Sequence, residues 1–288
     1  MMQSTVDAAV SRNPAAPSRS VALFLAIAFI AVIALCAPAI LGVDADYLVV
    51  MTPFAQWIPA VAVVIALRVS GVSLRWREAW ALQPFGGRRT AEALALVTIA
   101  IVAVAAAQIA VSVSAGVVEW SPAPDVGSIA LWVLPVAILA LLSATGEEAG
   151  WRGFLWTGLR ERRGFWATAF IVGVIWAAWH LPLLAAYGLQ GDLPWRNVIA
   201  TTIDLIMASF VLGAGRELSR SAWPAAWGHA LVNSVLVFTS TNFVTPDRAL
   251  ADPEFWTYRA IGWGLWLVAA LGVLFWRRNE RAPSNPEP

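Results

Sequence analysis

The sequence is poor in charged residues, and it contains no lysine. Charged side chains make up 13% of the 288 residues, whereas 59% are hydrophobic, and the mean hydropathy is +0.70. Soluble globular domains carry about 25% charged residues. The composition therefore argues against a water-soluble enzyme of this size, and also against disorder over most of the chain. We expect the chain to lie in a membrane.

Cysteine and histidine are also scarce. The single cysteine, Cys36, excludes an internal disulfide bond and a cysteine-based metal site. The two histidines are His180 and His229. All nineteen basic residues are arginines, and they form no tract dense enough to indicate binding to nucleic acid. Any chemistry in this chain must therefore rely on a small number of polar side chains.

Long apolar stretches, by contrast, are frequent. A spanning helix needs about 20 mostly apolar residues, and no stretch alternates like a membrane β-strand. We predict an all-α, multi-pass integral membrane helical bundle of about eight transmembrane helices within residues 20–278. A disordered tail (1–19) should precede it, and a cytoplasmic tail (279–288) should follow. The predicted spans are 20–42, 47–67, 90–115, 128–150, 165–188, 197–215, 222–243 and 256–276.

The arginines predict how the bundle is oriented. If the N-terminus lies inside, sixteen of the nineteen arginines fall in inner segments, and only Arg196, Arg248 and Arg259 lie outside. Short cytoplasmic segments of membrane proteins are enriched in positive residues. The pattern therefore predicts a protein of the plasma (inner) membrane with both termini in the cytoplasm.

Few ionisable side chains fall within the predicted spans. A charge at the centre of a spanning helix costs roughly 2.5–3.5 kcal/mol on insertion scales, so each such residue is a candidate functional group. The candidates are Glu147, Glu148, Arg152, His180, Asp204 and His229, with Asn233 as a buried amide.

The two adjacent glutamates are expected to have different partners. Glu148 and Arg152 are four residues apart in the order that favours an ion pair on a helix. Glu147 is turned by about 100° from Glu148, so it should face another element. The alternative is that both glutamates are ordinary interfacial charges at the end of a span.

The histidines are expected at a similar depth to the glutamates. Spans four and five form a hairpin that turns near Arg163, so Glu147 and His180 should lie level with each other. His180 could instead be a buried histidine bonded to a backbone carbonyl. His229 and Asn233 are four residues apart and share one helix face, although they could also form only an interhelical polar contact.

Together these side chains are suited to hydrolysis. A carboxylate and an imidazole can position and deprotonate water. A second imidazole and a carboxamide N–H can stabilise an oxyanion. The pattern thus indicates cleavage of an acyl or peptide bond in a membrane cavity.

At these residues the sequence resembles the CPBP family (CAAX protease/bacteriocin-processing, also called Abi) of intramembrane endopeptidases, which includes the type II CAAX prenyl endopeptidases. The family motifs EExxxR, FxxxH and HxxxN match Glu147-Glu148…Arg152, Trp176…His180 and His229…Asn233, all within residues 145–235. Trp176 replaces the usual phenylalanine, an aromatic exchange that we expect to leave the chemistry undisturbed.

The resemblance implies an endopeptidase and a role for each of six residues. Glu147 and His180 would activate water, Glu148 and Arg152 would form a supporting pair, and His229 and Asn233 would serve the oxyanion. The substrate would be a peptide or a protein C-terminal segment presented at the membrane. We favour a metal-independent glutamate mechanism, and a zinc site formed by Glu147, His180 and His229 stays open as the alternative.

Two other functions are compatible with the sequence. A non-catalytic immunity factor or partner scaffold could keep the same polar cluster for packing or binding. A transporter could use Asp204 as a proton or ion site, although the sequence has no duplicated halves or paired broken helices.

Overall fold

The computed structural model describes residues 18–73 and 75–279. Within these ranges the chain forms helices and no strand, apart from an isolated β-bridge between Trp120 and Val244. The predicted all-α class is therefore confirmed. The predicted tails lie outside the described residues except at their inner edges, where Ser18 and Arg19 already belong to the first helix and Asn279 ends the last one.

The helices follow the predicted spans closely. The α-helices are α1 (Ser18–Ile40), α2 (Asp46–Ala55), α3 (Ile58–Val69), α4 (Trp76–Ala79), α5 (Arg88–Ser114), α6 (Val126–Glu148), α7 (Trp156–Arg160), α8 (Phe165–Gln190), α9 (Trp195–Ser219), α10 (Trp223–Leu231), α11 (Val237–Asn242) and α12 (Asp252–Asn279). Two π-helical segments, π1 (Ala149–Leu155) and π2 (Val232–Leu236), join α6 to α7 and α10 to α11, and a 3-10 turn (Asp247–Ala249) precedes α12.

The described residues contain fewer unbroken spans than the eight predicted. Six helical units are long and apolar enough to cross a membrane, and α2 with α3 would make a seventh as one bent span. The predicted span 222–243 corresponds to α10, π2 and α11, which follow one another without a break, but this run is not among the helical units that are long and apolar enough. The described chain is therefore a multi-pass bundle of six or seven apolar spans.

Pro59 explains the bend in the predicted span 47–67. The α2 and α3 helices meet at an angle of 50°. In a continuous helix Pro59 would have no N–H to bond the carbonyl of Ala55, and its ring would clash with that carbonyl. The α2 helix ends at Ala55, and Pro59 lies in the first turn of α3, where a missing N–H is tolerated. Gln56 and Trp57 consequently lie at the bend.

The helices that carry the three motifs pack together inside the bundle. The α6 helix contacts α10, and α8 contacts π1, which carries Arg152. Trp151, Trp156 and Trp176 are fully buried among these helices. By contrast, Leu131 and Leu139 of α6 are exposed on the outer surface, where lipid tails would be as apolar an environment as the bundle interior.

Glycines bring the helical unit 126–160 into backbone contact with its neighbours. A Cβ atom added to Gly146 would lie 2.7 Å from the carbonyl oxygen of Gln56, and one added to Gly153 would lie 2.4 Å from that of Trp80. Small residues allow transmembrane helices to approach this closely. The bend between α2 and α3 is therefore docked directly against the end of α6.

We expect Gly153→Ala to lower the unfolding midpoint, because the new methyl group would collide with backbone atoms of Trp80. Overpacking of this kind costs about 1–3 kcal/mol. Gly158→Ala is the matched control on the same helical unit, since its nearest neighbour would be Val21 Cγ2 at 3.8 Å. Thermal unfolding in detergent compares the two variants, and equal midpoints would contradict the close approach.

Candidate active site

Five of the six predicted site residues come together where α6, π1, α8 and α10 meet. Glu147, Glu148 and Arg152 have no exposed surface, and His229 is 3% exposed. His180 is the most accessible of the five, with 17% of its side chain exposed. The cluster is therefore an interior polar site in an otherwise apolar bundle.

Both carboxylate oxygens of Glu147 accept hydrogen bonds from other helical segments. Gln56 Nε2 donates to Oε1 at 2.9 Å, and Trp176 Nε1 donates to Oε2 at 2.6 Å. His180 Nε2 lies 4.0 Å from the same Oε2. The structure thus brings Glu147 and His180 to the same level, as their distances from the hairpin turn predict.

The backbone sets the tautomer of His180. Its Nδ1 lies 2.9 Å from the carbonyl oxygen of Trp176, and a carbonyl can only accept a hydrogen bond. Nδ1 must therefore carry a proton, and in the neutral ring this leaves Nε2 with a lone pair close to Glu147. The two interpretations of His180 hold together, because one nitrogen bonds a backbone carbonyl while the other is available for chemistry.

Glu148 forms the predicted ion pair. Arg152 Nη1 donates to Glu148 Oε1 at 2.8 Å, and His229 Nδ1 lies 3.0 Å from the same oxygen. The Arg152 guanidinium also stacks over the ring of Trp176 at 4.4 Å. A buried carboxylate is tolerated only with such partners, so Glu148 belongs to an internal network and is not an interfacial charge.

Asn233 differs from its prediction as a buried amide. Its side chain is exposed, and it lies in π2, immediately after α10. His229, four residues earlier, is buried, so the two side chains differ in exposure. The role of Asn233 at the oxyanion stays a prediction.

Trp176 contacts the site more directly than the sequence indicated. Its indole N–H donates to Glu147, whereas a phenylalanine at this position would have no donor. The exchange therefore adds a hydrogen bond to Glu147, and the expectation that it leaves the chemistry undisturbed stays a prediction.

Gln56 is a site residue that the sequence analysis missed. It is 9% exposed and donates to Glu147 from 91 residues away in the chain. A signal was available, because Gln56 is an amide inside a predicted apolar span, and such polar residues commonly bond other helices. Its partner, however, depends on long-range packing.

The side chains proposed for zinc do not form a metal cluster in the described structure. Within the described ranges, no group of three or more histidine, cysteine, aspartate or glutamate side chains has the arrangement to hold a metal ion. Both oxygens of Glu147 accept N–H donors, and His229 Nδ1 is taken up by Glu148. A histidine whose Nδ1 is hydrogen-bonded can still bind zinc through Nε2, so a zinc site at these residues stays a prediction.

Asp204 lies in a different polar cluster, where it joins α9 to α12. Arg259 Nη1 donates to its Oδ2 at 2.8 Å, and Trp263 Nε1 donates to its Oδ1 at 2.6 Å. Arg259 also bonds Asp247. Asp204 therefore has the interhelical partners of a structural residue, which weakens the case for a transport site.

We expect Asp204→Asn to reduce stability without changing any hydrolytic rate. The loss should be about 1.5 kcal/mol, the lower end for charged hydrogen bonds, because the Asp204 side chain is 32% exposed. Asp125→Asn, at an exposed position without a side-chain capping bond, is the control. Chemical unfolding in detergent measures the difference. A large loss of hydrolysis in folded Asp204→Asn protein would speak against a purely structural role.

The fold and this cluster define a multi-pass membrane protein with a buried carboxylate–imidazole site. Residues 129–235 match the family model for type II CAAX prenyl endopeptidase Rce1-like proteins. A 51-residue segment is 41% identical to CAAX prenyl protease 2 of Methanococcus maripaludis, and the alignment covers 18% of this chain and 19% of that protein. This part of the chain is therefore similar to CAAX-type proteases, as its motifs indicate.

Proposed function

We propose that this protein is an intramembrane endopeptidase that hydrolyses a peptide bond in a peptide or protein C-terminal segment presented at the membrane. One observation carries the proposal: Glu147 Oε2 and His180 Nε2 lie 4.0 Å apart inside an apolar bundle. The match to CAAX-type proteases supports the same class of reaction. The substrate, the position of the cut and the mechanism are part of the proposal.

The gap between Glu147 and His180 suits one bound water. A water oxygen about 2.8 Å from each atom forms two good hydrogen bonds. Both atoms accept, because His180 Nε2 carries the lone pair, so the water would donate both protons and turn its own lone pairs towards the substrate. On attack, the water oxygen bonds the carbonyl carbon and its proton passes to Glu147.

His229 is placed to balance the negative charge that then develops. Glu147, Glu148 and Arg152 leave one uncompensated negative charge in the buried cluster, and a doubly protonated His229 would neutralise it. Its Nδ1–H would remain on Glu148 at 3.0 Å, and its Nε2–H could donate to the oxyanion. Collapse of the tetrahedral intermediate would break the C–N bond. The proton that Glu147 took from the water would pass to the leaving amine.

The accessible side of the cluster indicates where substrate would enter. Both glutamates are fully buried, whereas His180 is partly accessible and Asn233 is exposed. A substrate carbonyl would therefore reach the water past these two residues. From the arginine distribution, we propose that this side faces the cytoplasm in a plasma-membrane protein with both termini inside.

A cleavage assay with the reconstituted protein tests the proposed function. Peptides with a C-terminal Cys-aliphatic-aliphatic-X sequence, with and without a prenyl group, and unrelated peptides would be offered to proteoliposomes, with Glu147→Gln protein as the blank. Cleavage of the prenylated peptide alone would support CAAX processing. Cleavage of unmodified peptides would support broader processing of the bacteriocin type. Full biological activity of the Glu147→Gln protein would instead support an immunity or scaffold function.

Metal dependence can be measured on the same preparation. We propose catalysis without a bound metal, because the donor atoms around Glu147 are arranged for hydrogen bonds. Strong chelators should then leave the rate unchanged, and elemental analysis should show zinc well below one atom per chain. Stoichiometric zinc that is lost together with activity would overturn this part of the proposal.

A further inference from the structure

The Glu147 carboxylate is held from two directions by side chains outside its own helix. Gln56 Nε2 lies 2.9 Å from Oε1, and Trp176 Nε1 lies 2.6 Å from Oε2. Trp176 lies within the segment that matches the family model, but Gln56 lies outside residues 129–235. One of the two contacts to the proposed base is therefore supplied by a part of the chain to which the match assigns nothing.

Two donors, one on each oxygen, fix the orientation of a carboxylate. A glutamate side chain has three rotatable bonds, and a catalytic group that moves by about 1 Å can lose about 100-fold in rate. With Oε1 held by Gln56, the other oxygen is the one that lies next to His180. Loss of the Gln56 contact would leave the carboxylate free to turn about its last bond.

The backbone places Gln56 where it can make this contact. A Cβ atom added to Gly146 would lie 2.7 Å from the Gln56 carbonyl oxygen, and one added to Gly150 would lie 2.5 Å from Pro59 Cβ. The bend between α2 and α3 thus contacts the helix turn on either side of Glu147. Because Pro59 ends the regular helix at Ala55, Gln56 sits at the point of that bend.

We propose that Gln56 is a positioning residue of the active site, which holds Glu147 Oε1 so that Oε2 is presented to the water beside His180. The proposal rests on the function proposed above, in which Glu147 is the base. Gln56 acts through Glu147 and makes no contact with substrate. The N-terminal helices therefore complete the catalytic geometry that the motif-bearing segment begins.

Gln56→Met is the informative variant, because it keeps the side-chain length and removes the donor. We expect kcat to fall about 10–100-fold, with KM within about twofold. The acid limb of the pH–rate profile should move to higher pH, because the carboxylate loses a hydrogen bond that favours its charged form. Gln108→Met is the control. Gln108 donates to the Tyr258 carbonyl oxygen at 3.2 Å, in a contact between α5 and α12. The kcat of this variant should match the wild type.

Infrared spectroscopy gives a readout that does not depend on activity. The carboxylate band that disappears in Glu147→Gln protein should shift in Gln56→Met protein and stay in place in Gln108→Met protein. An unshifted band would overturn the contact, and a shifted band with unchanged kcat would overturn the positioning role. The wild-type protein could also cleave nothing while the band still shifts in Gln56→Met protein. In that case the contact between Gln56 and Glu147 stands, but the proposed function fails and the positioning role fails with it.

Discussion

Replacing Glu147 with glutamine is expected to lower the hydrolytic rate by about 10³-fold or more, while the unfolding midpoint changes little. General-base catalysis contributes about 10²–10⁴-fold, and this variant removes the base together with its charge. The fold should tolerate the change, because a neutral amide of the same shape is easier to bury than a carboxylate. Initial rates in proteoliposomes and thermal unfolding of the same preparation measure both effects.

Glu161→Gln is the matched control for this loss. Glu161 is exposed beyond the end of α7, so the variant removes the same charge outside the cluster and should cleave at the wild-type rate. A Glu147→Gln protein that keeps more than a tenth of the wild-type rate would contradict the assignment of Glu147 as the base. A variant that is inactive only because it is unfolded would be recognised by its midpoint.

Replacing Arg152 with methionine is expected to have the largest effect on stability. Arg152 is fully buried and its Nη1 bonds Glu148 Oε1 at 2.8 Å. Removing one partner of a buried ion pair costs about 3–5 kcal/mol, since the other charge remains buried without compensation. Glu148 would then keep only His229. Equilibrium unfolding in detergent should show the loss directly.

Two further variants separate this charge effect from simple loss of packing. The double variant Glu148→Gln with Arg152→Met should be more stable than Arg152→Met alone, because no unpaired charge remains. Arg88→Met breaks the exposed pair between Arg88 and Glu92, which has the same four-residue spacing. It should cost less than about 1 kcal/mol. A double variant as unstable as the single one would show that the guanidinium acts mainly through packing.

Local patterns in the sequence were enough to predict several features of the site. The ion pair between Glu148 and Arg152 follows from helical spacing, and both residues lie on one helical unit. The approach of Glu147 to His180 follows from the hairpin between spans four and five. These predictions succeeded because each depends on residues close together on one helical unit or on one short connection.

The misplaced features are ones that helical spacing does not determine. Asn233 was predicted as a buried amide, but it is exposed in π2. The predicted span 47–67 is bent at Pro59. A spacing rule assumes 3.6 residues per turn and a straight axis, so it predicts neither where a proline bends a span nor how far a side chain is buried.

By itself, the amino-acid sequence determined that the chain is an all-helical membrane protein and which ionisable groups lie within its apolar spans. Composition and local spacing carry that information. Only the tertiary structure decided that Gln56 and Trp176 hold the two oxygens of Glu147. Those contacts join residues that lie 91 and 29 positions apart in the chain. They depend on how the helices pack, including where the bend between α2 and α3 meets the glycines near the end of α6. No local sequence pattern specifies that packing.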